Sequence, residues 1–380
     1  MRKFLNASLA ALISASLLLS GCGSKFTPSQ QEEKPGQAEP QQVESKQTES
    51  PQTSDGQKPQ TPGDSNGDKS QEPKAEIDLA KVKPNENGKI MVVMFHNFIE
   101  EYKSGDKEYT TTFDAFGKLL VQLYDKGYRL INVNDYLSNN ISVPAGCIPM
   151  IFTFDDGTPG QFNFIEENGK LVVNPKSAVG IMEEFNKAHP DFGLKGTFYV
   201  NLGLQTFEGK GTVAERLQYL REKGFEIGNH TLTHVSLPQV KSADKVKQEV
   251  GGNQKKMLEL IPGYNFTSLA LPYGQVSKDL QEHVFKGEFE GVKYENNAVM
   301  LVGAGPTLSP VSKKFNPLAT ARVRASGIKP VECDLAWWVE KLSRDEQYIS
   351  DGDAETVTIP KAKEVDVDAE KLKGKKLVTY

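Results

Sequence analysis

The chain has 380 residues and carries a net charge of −5 at pH 7. A net negative charge argues against nucleic acid as the natural partner, because phosphate binding depends on an excess of lysine and arginine. Beyond residue 21 no stretch is long and apolar enough to span a bilayer, which excludes a protein with several membrane spans.

Residues 1–21 predict a secretion signal that ends in a lipid-attachment site. Arg2 and Lys3 form its charged start, and residues 9–19 form its apolar core. The following Leu-Ser-Gly-Cys, at 19–22, resembles the lipobox of bacterial lipoproteins. An ordinary signal peptide with an incidental cysteine is the alternative. We expect Cys22 to carry the lipid and to anchor the chain to the bacterial membrane outside the cytoplasm. Removing the signal deletes two basic residues and no acid, which changes the net charge from −5 to −7.

Residues 22–87 predict a disordered linker. Between residues 27 and 94 there is no Phe, Trp or Tyr, and Gln, Pro, Ser, Lys, Glu and Gly dominate. Such a segment buries too little apolar surface to offset the entropy lost on ordering. A flexible chain of about 60 residues has an r.m.s. reach of about 40–45 Å.

Residues 88–345 predict a single α/β domain in which strands alternate with helices. Apolar runs and helical spacing place strands at 90–95, 128–133, 148–154, 196–201, 224–228, 269–271 and 298–302, and helices at 113–124, 178–188, 212–223, 244–260 and 334–342. This alternation implies parallel pairing in a closed or nearly closed sheet. Residues 346–380 form a C-terminal tail whose role the sequence leaves open.

Two adjacent carboxylates follow the most apolar strand. The run Ile151–Phe154 leads directly into Asp155, Asp156 and Gly157. Neighbouring side chains of a strand point to opposite faces, so one carboxylate can bind a metal while the other faces water or substrate. Alone, Asp-Asp-Gly is also a common turn sequence.

Two histidines follow a later strand. His230 and His234 stand at i and i+4, a spacing that predicts one face of a helical turn and a shared metal. Two imidazoles and one carboxylate are a usual ligand set for an open zinc site.

A third strand runs into the turn Pro272-Tyr273-Gly274. The ordered set Thr-Phe-Asp-Asp-Gly, His-Thr-x-x-His and Pro-Tyr-Gly resembles the polysaccharide deacetylase family, the NodB-homology carbohydrate esterases of family 4. The resemblance covers residues 90–342. It implies a distorted (β/α) barrel with its site at the carboxyl ends of the strands.

The resemblance also implies metal-dependent hydrolysis of N-acetyl groups on an amino-sugar polymer. In that scheme Asp156, His230 and His234 hold Zn²⁺, or another divalent ion such as Co²⁺ or Ni²⁺. Asp155 takes a proton from water. Pro272 and Tyr273 belong to the substrate site, where a backbone N–H near Tyr273 serves as the oxyanion donor.

Two departures from the family pattern change the expected site. Ala270 occupies the place of an arginine that pairs with the base aspartate in the family, and either Arg322 or Arg324 could replace it. The usual late histidine is absent, since no histidine follows position 283. Both departures resemble the branch acting on poly-N-acetylglucosamine, in which the acid histidine follows the first strand. Here that residue is His96, whose alternative role is to cap the strand and bond a neighbouring loop.

Other features leave alternatives open. Asn168-Gly169 predicts a hairpin over 161–173, whose Phe162 or Phe164 either stacks on a sugar or packs on the barrel rim. Outside the cytoplasm Cys147 and Cys333 could pair.

The family resemblance favours a deacetylase of peptidoglycan, poly-N-acetylglucosamine or a related glycan, acting as a monomer. A catalytically inactive glycan-binding lipoprotein and a metal-dependent amidase on a small non-sugar substrate are the alternatives. The long linker suits a membrane-anchored enzyme that acts on a polymer.

Overall fold

A computed structural model describes residues 77–103, 105, 107–303 and 305–380. The predicted signal, Cys22 and most of the predicted linker lie outside these residues. Across the part of the chain that is described, no helix has the length and hydropathy needed to cross a bilayer.

Strands and helices alternate along most of the chain, as the apolar pattern predicts. The strands are β1 (Met91–Phe95), β2 (Asn97–Ile99), β3 (Thr110–Thr112), β4 (Tyr128–Leu130), β5 (Ile148–Asp155), β6 (Phe164–Glu167), β7 (Lys170–Val173), β8 (Thr197–Val200), β9 (Glu226–Asn229), β10 (Ser268–Ala270), β11 (Lys286–Phe289), β12 (Val292–Glu295), β13 (Ala298–Met300), β14 (Val323–Arg324), β15 (Thr356–Ile359) and β16 (Lys376–Thr379). The helices are α1 (Leu79–Val82), α2 (Phe113–Asp125), α3 (Val133–Leu137), α4 (Ala178–Ala188), α5 (Val213–Glu222), α6 (Ala243–Leu260), α7 (Gln281–Phe285) and α8 (Leu335–Lys341).

A curled, all-parallel sheet of eight strands forms the centre of the described fold. Its order is β13-β10-β9-β8-β5-β1-β14, with β4 paired to the start of β5. Thr320, shortly before β14, bridges to Met300 of β13, so the two ends of the sheet approach each other. The predicted distorted (β/α) barrel is thereby confirmed.

The core explains why β5 is almost entirely apolar. All eight residues of β5 are buried, because it lies between neighbouring strands and is covered on both faces. Phe95, Phe152, Phe154 and Phe198 form edge-to-face and stacked pairs on the helix side of the sheet. This packing fixes the strand that ends at the two aspartates.

The strand predicted over 128–133 is too long. It ends at Leu130, and α3 begins at Val133. Asn132 and Asp135 form a capping box that starts the helix, which overrides the β-forming tendency of Ile131 and Val133. The antiparallel hairpin of β11 and β12, which the apolar pattern does not reveal, follows α7.

The folded part extends beyond the predicted range of 88–345 at both ends. Glu86 is buried, and its carboxylate accepts a hydrogen bond from the Thr358 N–H at 2.7 Å. The Tyr348 N–H donates to the Lys89 carbonyl at 2.9 Å. Residues 346–380 therefore pack against the segment that leads into β1, and β15 and β16 pair in parallel.

The structure also resolves two open alternatives. β6 and β7 form the predicted hairpin, with Asn168-Gly169 at its turn. Phe162 and Phe164 are buried and contact Tyr219 at 5.6 and 5.3 Å between ring centroids, so both pack on the rim instead of facing a sugar. Cys147 and Cys333 are free thiols and do not pair.

Candidate active site

Polar side chains from several strand ends meet at the carboxyl edge of the barrel. His96 follows β1, Asp155 ends β5, and His230 follows β9. Arg322 stands at the amino end of β14, and its long side chain reaches the same edge, where it bonds Asp155. Parallel strands bring their carboxyl ends to one edge, which is why residues far apart in sequence meet there.

Asp155 and Arg322 form a buried, bidentate ion pair. Both Asp155 oxygens lie 2.7 Å from the guanidinium, and neither side chain is more than 2% exposed. Arg322 also donates through Nε to the Leu301 carbonyl at 2.8 Å. Arg324 instead bonds Glu108 at the surface. Of the two candidate arginines, Arg322 is therefore the one that reaches Asp155.

Asp156 does not follow the alternation predicted for a strand. Its φ is +79°, so the chain leaves the extended conformation immediately after Asp155. Both carboxylates consequently face the same histidine. The Nε2 atom of His230 lies 3.4 Å from Asp156 and 3.9 Å from Asp155.

The segment from His230 to His234 is an irregular loop, which corrects the predicted helical turn. Thr231 and His234 have φ values of +66° and +54°, far from helical geometry. The two imidazoles still converge, with ring centroids 5.0 Å apart. Tertiary contacts, and not an i, i+4 helical spacing, bring these rings together.

Asp156, His230 and His234 fit a divalent metal. Their ligand atoms all lie within 4.8 Å of one another. The Nδ1 atom of His230 is 2.8 Å from the Ala270 carbonyl, which fixes the ring and leaves Nε2 directed at Asp156. A carbonyl partner on the second ring nitrogen is the usual support of a metal-binding histidine. Two imidazoles and one carboxylate suit zinc, with room for water or substrate.

His96 lies beside Asp155 at the same edge. Its Nε2 atom is 3.9 Å from an Asp155 oxygen, and its ring meets Tyr109 edge-on at 4.9 Å. Its buried Nδ1 atom has no hydrogen-bond partner among the described residues. The alternative role of His96, capping the strand and bonding a neighbouring loop, is filled by its main chain only. The His96 carbonyl accepts a hydrogen bond from the Gln161 side chain at 2.7 Å.

The Pro-Tyr-Gly turn borders the site on the side of His234. Pro272 is buried, whereas Tyr273 is 63% exposed and has a φ of +58°. The Tyr273 ring lies 5.1 Å from the His234 ring. The turn thus places an accessible aromatic ring next to the candidate metal ligands.

The charges of the site shift its pKa values in opposite directions. Burial favours the neutral acids, but Arg322 holds the pKa of Asp155 below its usual value, and His230 does the same for Asp156. Burial opposes the charged form of His230, yet Asp155 and Asp156 outweigh it and raise its pKa. Burial lowers the pKa of His96 and of His234. Both carboxylates are therefore ionised at neutral pH.

Gln161 is a site residue that the motifs do not reveal. Its side-chain amide donates to the main-chain carbonyls of both His96 and Asp155. It therefore ties the end of β1 to the end of β5. The only sequence signal for it is a position six residues after Asp155, in the loop that leaves the motif strand.

A (β/α) barrel that gathers two aspartates and three histidines at its carboxyl edge has these side chains where barrel enzymes have their active sites. Residues 143–291 match the sequence model of the family described as polysaccharide deacetylase. Residues 143–291 thus carry a polysaccharide deacetylase sequence, and over this range the family and enzyme class predicted from the motifs are confirmed.

Solved structures share this fold. A polysaccharide deacetylase from Bacillus cereus superposes with a TM-score of 0.50 at 18% identity, over 68% of this chain and 70% of that one. The Streptococcus pyogenes deacetylase PplD, solved with acetate, also gives 0.50 at 17% identity, over 68% of this chain and 99% of that one. At 17–18% sequence identity, the structural similarity shows a shared fold and nothing further. No curated protein matches this chain by sequence.

Proposed function

We propose that the chain is a metal-dependent N-deacetylase of an amino-sugar polymer, with peptidoglycan and poly-N-acetylglucosamine as the substrate candidates. The observation that carries the proposal is the convergence of Asp156, His230 and His234 within 4.8 Å, next to the Asp155–Arg322 pair. The family match supports the sugar amide as the substrate class.

Asp156, His230 and His234 would hold the metal, with Zn²⁺ as the first candidate and Co²⁺ or Ni²⁺ as alternatives. When bound, such an ion polarises a carbonyl oxygen and lowers the pKa of water. The protein's contribution is to keep the ligand atoms oriented. The Ala270 carbonyl does so for His230 by occupying its Nδ1 atom.

Asp155 acts as the general base. Its carboxylate is ionised, because Arg322 holds its pKa low, and it faces the histidine cluster. One Asp155 oxygen takes a proton from the attacking water while Arg322 keeps the carboxylate in place. A base of low pKa is weak, so its effect rests on position more than on basicity.

His96 acts as the general acid that protonates the leaving amine nitrogen. Its Nε2 atom lies 3.9 Å from the same Asp155 oxygen that the Nε2 atom of His230 approaches at 3.9 Å. The lowered pKa makes its imidazolium a stronger proton donor, although a smaller fraction carries the proton at neutral pH.

Tyr273 and Pro272 position the substrate. Pro272 is buried and fixes the turn, while the exposed Tyr273 ring offers a surface for the apolar face of a sugar. The backbone N–H near Tyr273 is the proposed donor to the developing oxyanion.

The enzyme is further proposed to work from a membrane anchor at Cys22, as a monomer. The lipobox-like Leu-Ser-Gly-Cys and the aromatic-free linker support this location. Cys22→Ala is then expected to yield a soluble and active enzyme. Retention of that variant in the membrane fraction would place the anchor elsewhere.

The experiment that tests the function is acetate release from purified peptidoglycan and from poly-N-acetylglucosamine, before and after metal removal. Metal-dependent release from either polymer supports the proposal and selects the glycan. Release from small non-sugar acetamides alone would favour the amidase alternative. Binding of glycan without any acetate release would favour the inactive glycan-binding alternative.

A further inference from the structure

The loop that carries the two histidines is held in an unfavourable conformation by the neighbouring helix. Thr231 and His234 both have positive φ, although neither is a glycine and Thr231 is β-branched. Such a conformation persists only where surrounding contacts over-determine it. The contacts that do so come from α6 and from the buried asparagines Asn201 and Asn229.

We infer that Glu249 of α6, supported by Asn253, is a positioning residue that sets the metal affinity of the His230–His234 loop. The inference rests on the proposed metal centre and adds a residue outside the family motifs. Neither α6 side chain belongs to the proposed ligand set.

Glu249 bonds the loop at two consecutive residues. Its main-chain carbonyl accepts from the Leu232 N–H at 2.8 Å, and its carboxylate accepts from the Thr233 N–H at 2.9 Å. The Thr233 hydroxyl donates to the same carboxylate at 2.9 Å. Glu249 is completely buried. It thus fixes the two residues that immediately precede His234.

Asn253 supports the other end of the loop through Asn229. Its Nδ2 donates to the Asn229 Oδ1 at 2.9 Å and to the Val200 carbonyl at 2.8 Å. Asn229 Oδ1 in turn accepts from the Thr231 N–H at 2.9 Å. The Asn201 side chain donates to the Thr231 carbonyl at 2.9 Å. Both main-chain polar groups of the strained Thr231 are therefore bonded to buried asparagines.

Two glycines in α6 let the helix pack closely against its neighbours. A Cβ at Gly252 would lie 3.2 Å from the Leu232 side chain, and one at Gly251 would lie 2.6 Å from Phe289. Glycine weakens a helix interior. Gly252 is thus explained by the close packing of α6 against the histidine loop, and Gly251 by the packing of α6 against β11.

The consequence is a link from α6 to the metal. Residues that orient metal ligands without touching the ion typically change metal affinity about 10–100-fold when they are substituted. Glu249→Ala frees the Thr233 N–H and lets His234 move away from Asp156. Glu249→Gln keeps an acceptor for that N–H and a group that can bond the hydroxyl. Lys245, which pairs with Glu249 at 2.8 Å from the solvent side, makes the matched control.

The test is the dissociation constant for Zn²⁺ of the metal-stripped full-length chain, measured by competition with a chromogenic chelator. The measurement compares wild type with Glu249→Ala, Glu249→Gln and Lys245→Ala, and thermal unfolding of the metal-free proteins is recorded in parallel. We expect about 10–100-fold weaker binding for Glu249→Ala. Binding close to that of wild type is expected for the other two variants.

Three results would overturn the inference. Wild-type Zn²⁺ affinity in Glu249→Ala, even with a lower unfolding temperature, would make Glu249 a structural residue only. Equal weakening in Glu249→Gln or in Lys245→Ala would show that the hydrogen bonds to the loop are not the cause. If Glu249→Ala does not fold, Glu249→Asp decides, because its shorter side chain withdraws the carboxylate from the Thr233 N–H, and unchanged affinity in that variant would equally contradict the inference. Failure of the wild-type chain to bind Zn²⁺ would instead overturn the proposed metal centre.

Discussion

The guanidinium of Arg322 bonds both carboxylate oxygens of Asp155 at 2.7 Å, across 167 positions of sequence. Bidentate, charge-assisted pairs of this kind fix orientation as well as charge. The resemblance to the deacetylase family implies that an arginine of the third motif pairs with the base aspartate. In this chain Ala270 occupies the position of that arginine. Arg322, directly before β14, makes that contact here from a different point in the sequence.

Replacing Arg322 should destabilise the fold and shift the titration of Asp155. Arg322→Ala leaves a buried carboxylate without its partner, which typically costs about 3–5 kcal/mol. The pKa of Asp155 should rise, so the acidic limb of the pH–rate profile should move to higher pH. Arg324→Ala is the control, because Arg324 is 21% exposed and pairs with Glu108. Equal unfolding temperatures for the two variants would contradict the importance of the pair.

Asp155→Asn should separate catalysis from metal binding. The amide keeps the shape of the side chain but cannot take a proton, so turnover should fall about 100-fold or more. Zinc content should stay at the wild-type level, because Asp155 is outside the proposed ligand set. Asp156→Ala, by contrast, should lose zinc and activity together. Elemental analysis of zinc, together with an assay of acetate release, distinguishes these two variants. Near-normal turnover in Asp155→Asn would exclude Asp155 as the base.

His96→Gln should impair the amide reaction selectively. An amine leaving group needs a proton, whereas an activated acetate ester does not, so the amide rate should fall about 100-fold or more while the ester rate is spared. In wild type the amide rate should fall as pH rises through the His96 pKa, which burial lowers. This decrease of the amide rate at high pH should be absent in His96→Gln. Equal losses on amide and ester would remove His96 from the proton-transfer step.

Glu86 should make stability depend on pH. Burial, with a contribution from Asp351, raises its pKa from 4.5 to about 8 in the folded protein. A carboxyl group with a raised pKa contributes stability fully below the unfolded pKa and loses it as pH rises through the folded one. The unfolding free energy of wild type, relative to Glu86→Gln, should therefore decrease between pH 4.5 and about 8.

Chemical denaturation at several pH values measures the effect of Glu86. Glu355→Gln, at an exposed glutamate of the same C-terminal segment, is the control and should follow wild type. A parallel pH dependence in wild type and Glu86→Gln would show that folding does not raise the pKa of Glu86.

The barrel was predictable from sequence because its strands are buried on both faces. Continuous apolar runs such as Ile148–Phe154 are distinctive, and Asp155 and Asp156 follow that run directly. The positions of Asp155, Asp156 and His230 at the carboxyl edge follow from parallel pairing alone. The short strand β4 was overextended because a capping interaction, and not apolarity, determines where α3 begins.

The shape of the histidine loop was not predictable from its spacing. His-x-x-x-His suggests a helical turn, but the loop is held by Glu249 and Asn201, which lie on separate elements. By sequence, Arg322 and Arg324 are equally good candidates for the partner of Asp155. Only the tertiary contact with Asp155 distinguishes them. The packing of residues 346–380 was hidden for the same reason, since it depends on the buried Glu86, far away in sequence.

Metal dependence of the reaction is tested by acetate release from N-acetylglucosamine oligomers, using metal-stripped protein titrated with Zn²⁺. The site formed by Asp156, His230 and His234 predicts that the rate rises with bound zinc and saturates at one ion per chain. Chelation should abolish the rate, and added zinc should restore it. Acetate release that is indifferent to chelation, or no release with zinc bound from this or any N-acetylated glycan, would contradict the account.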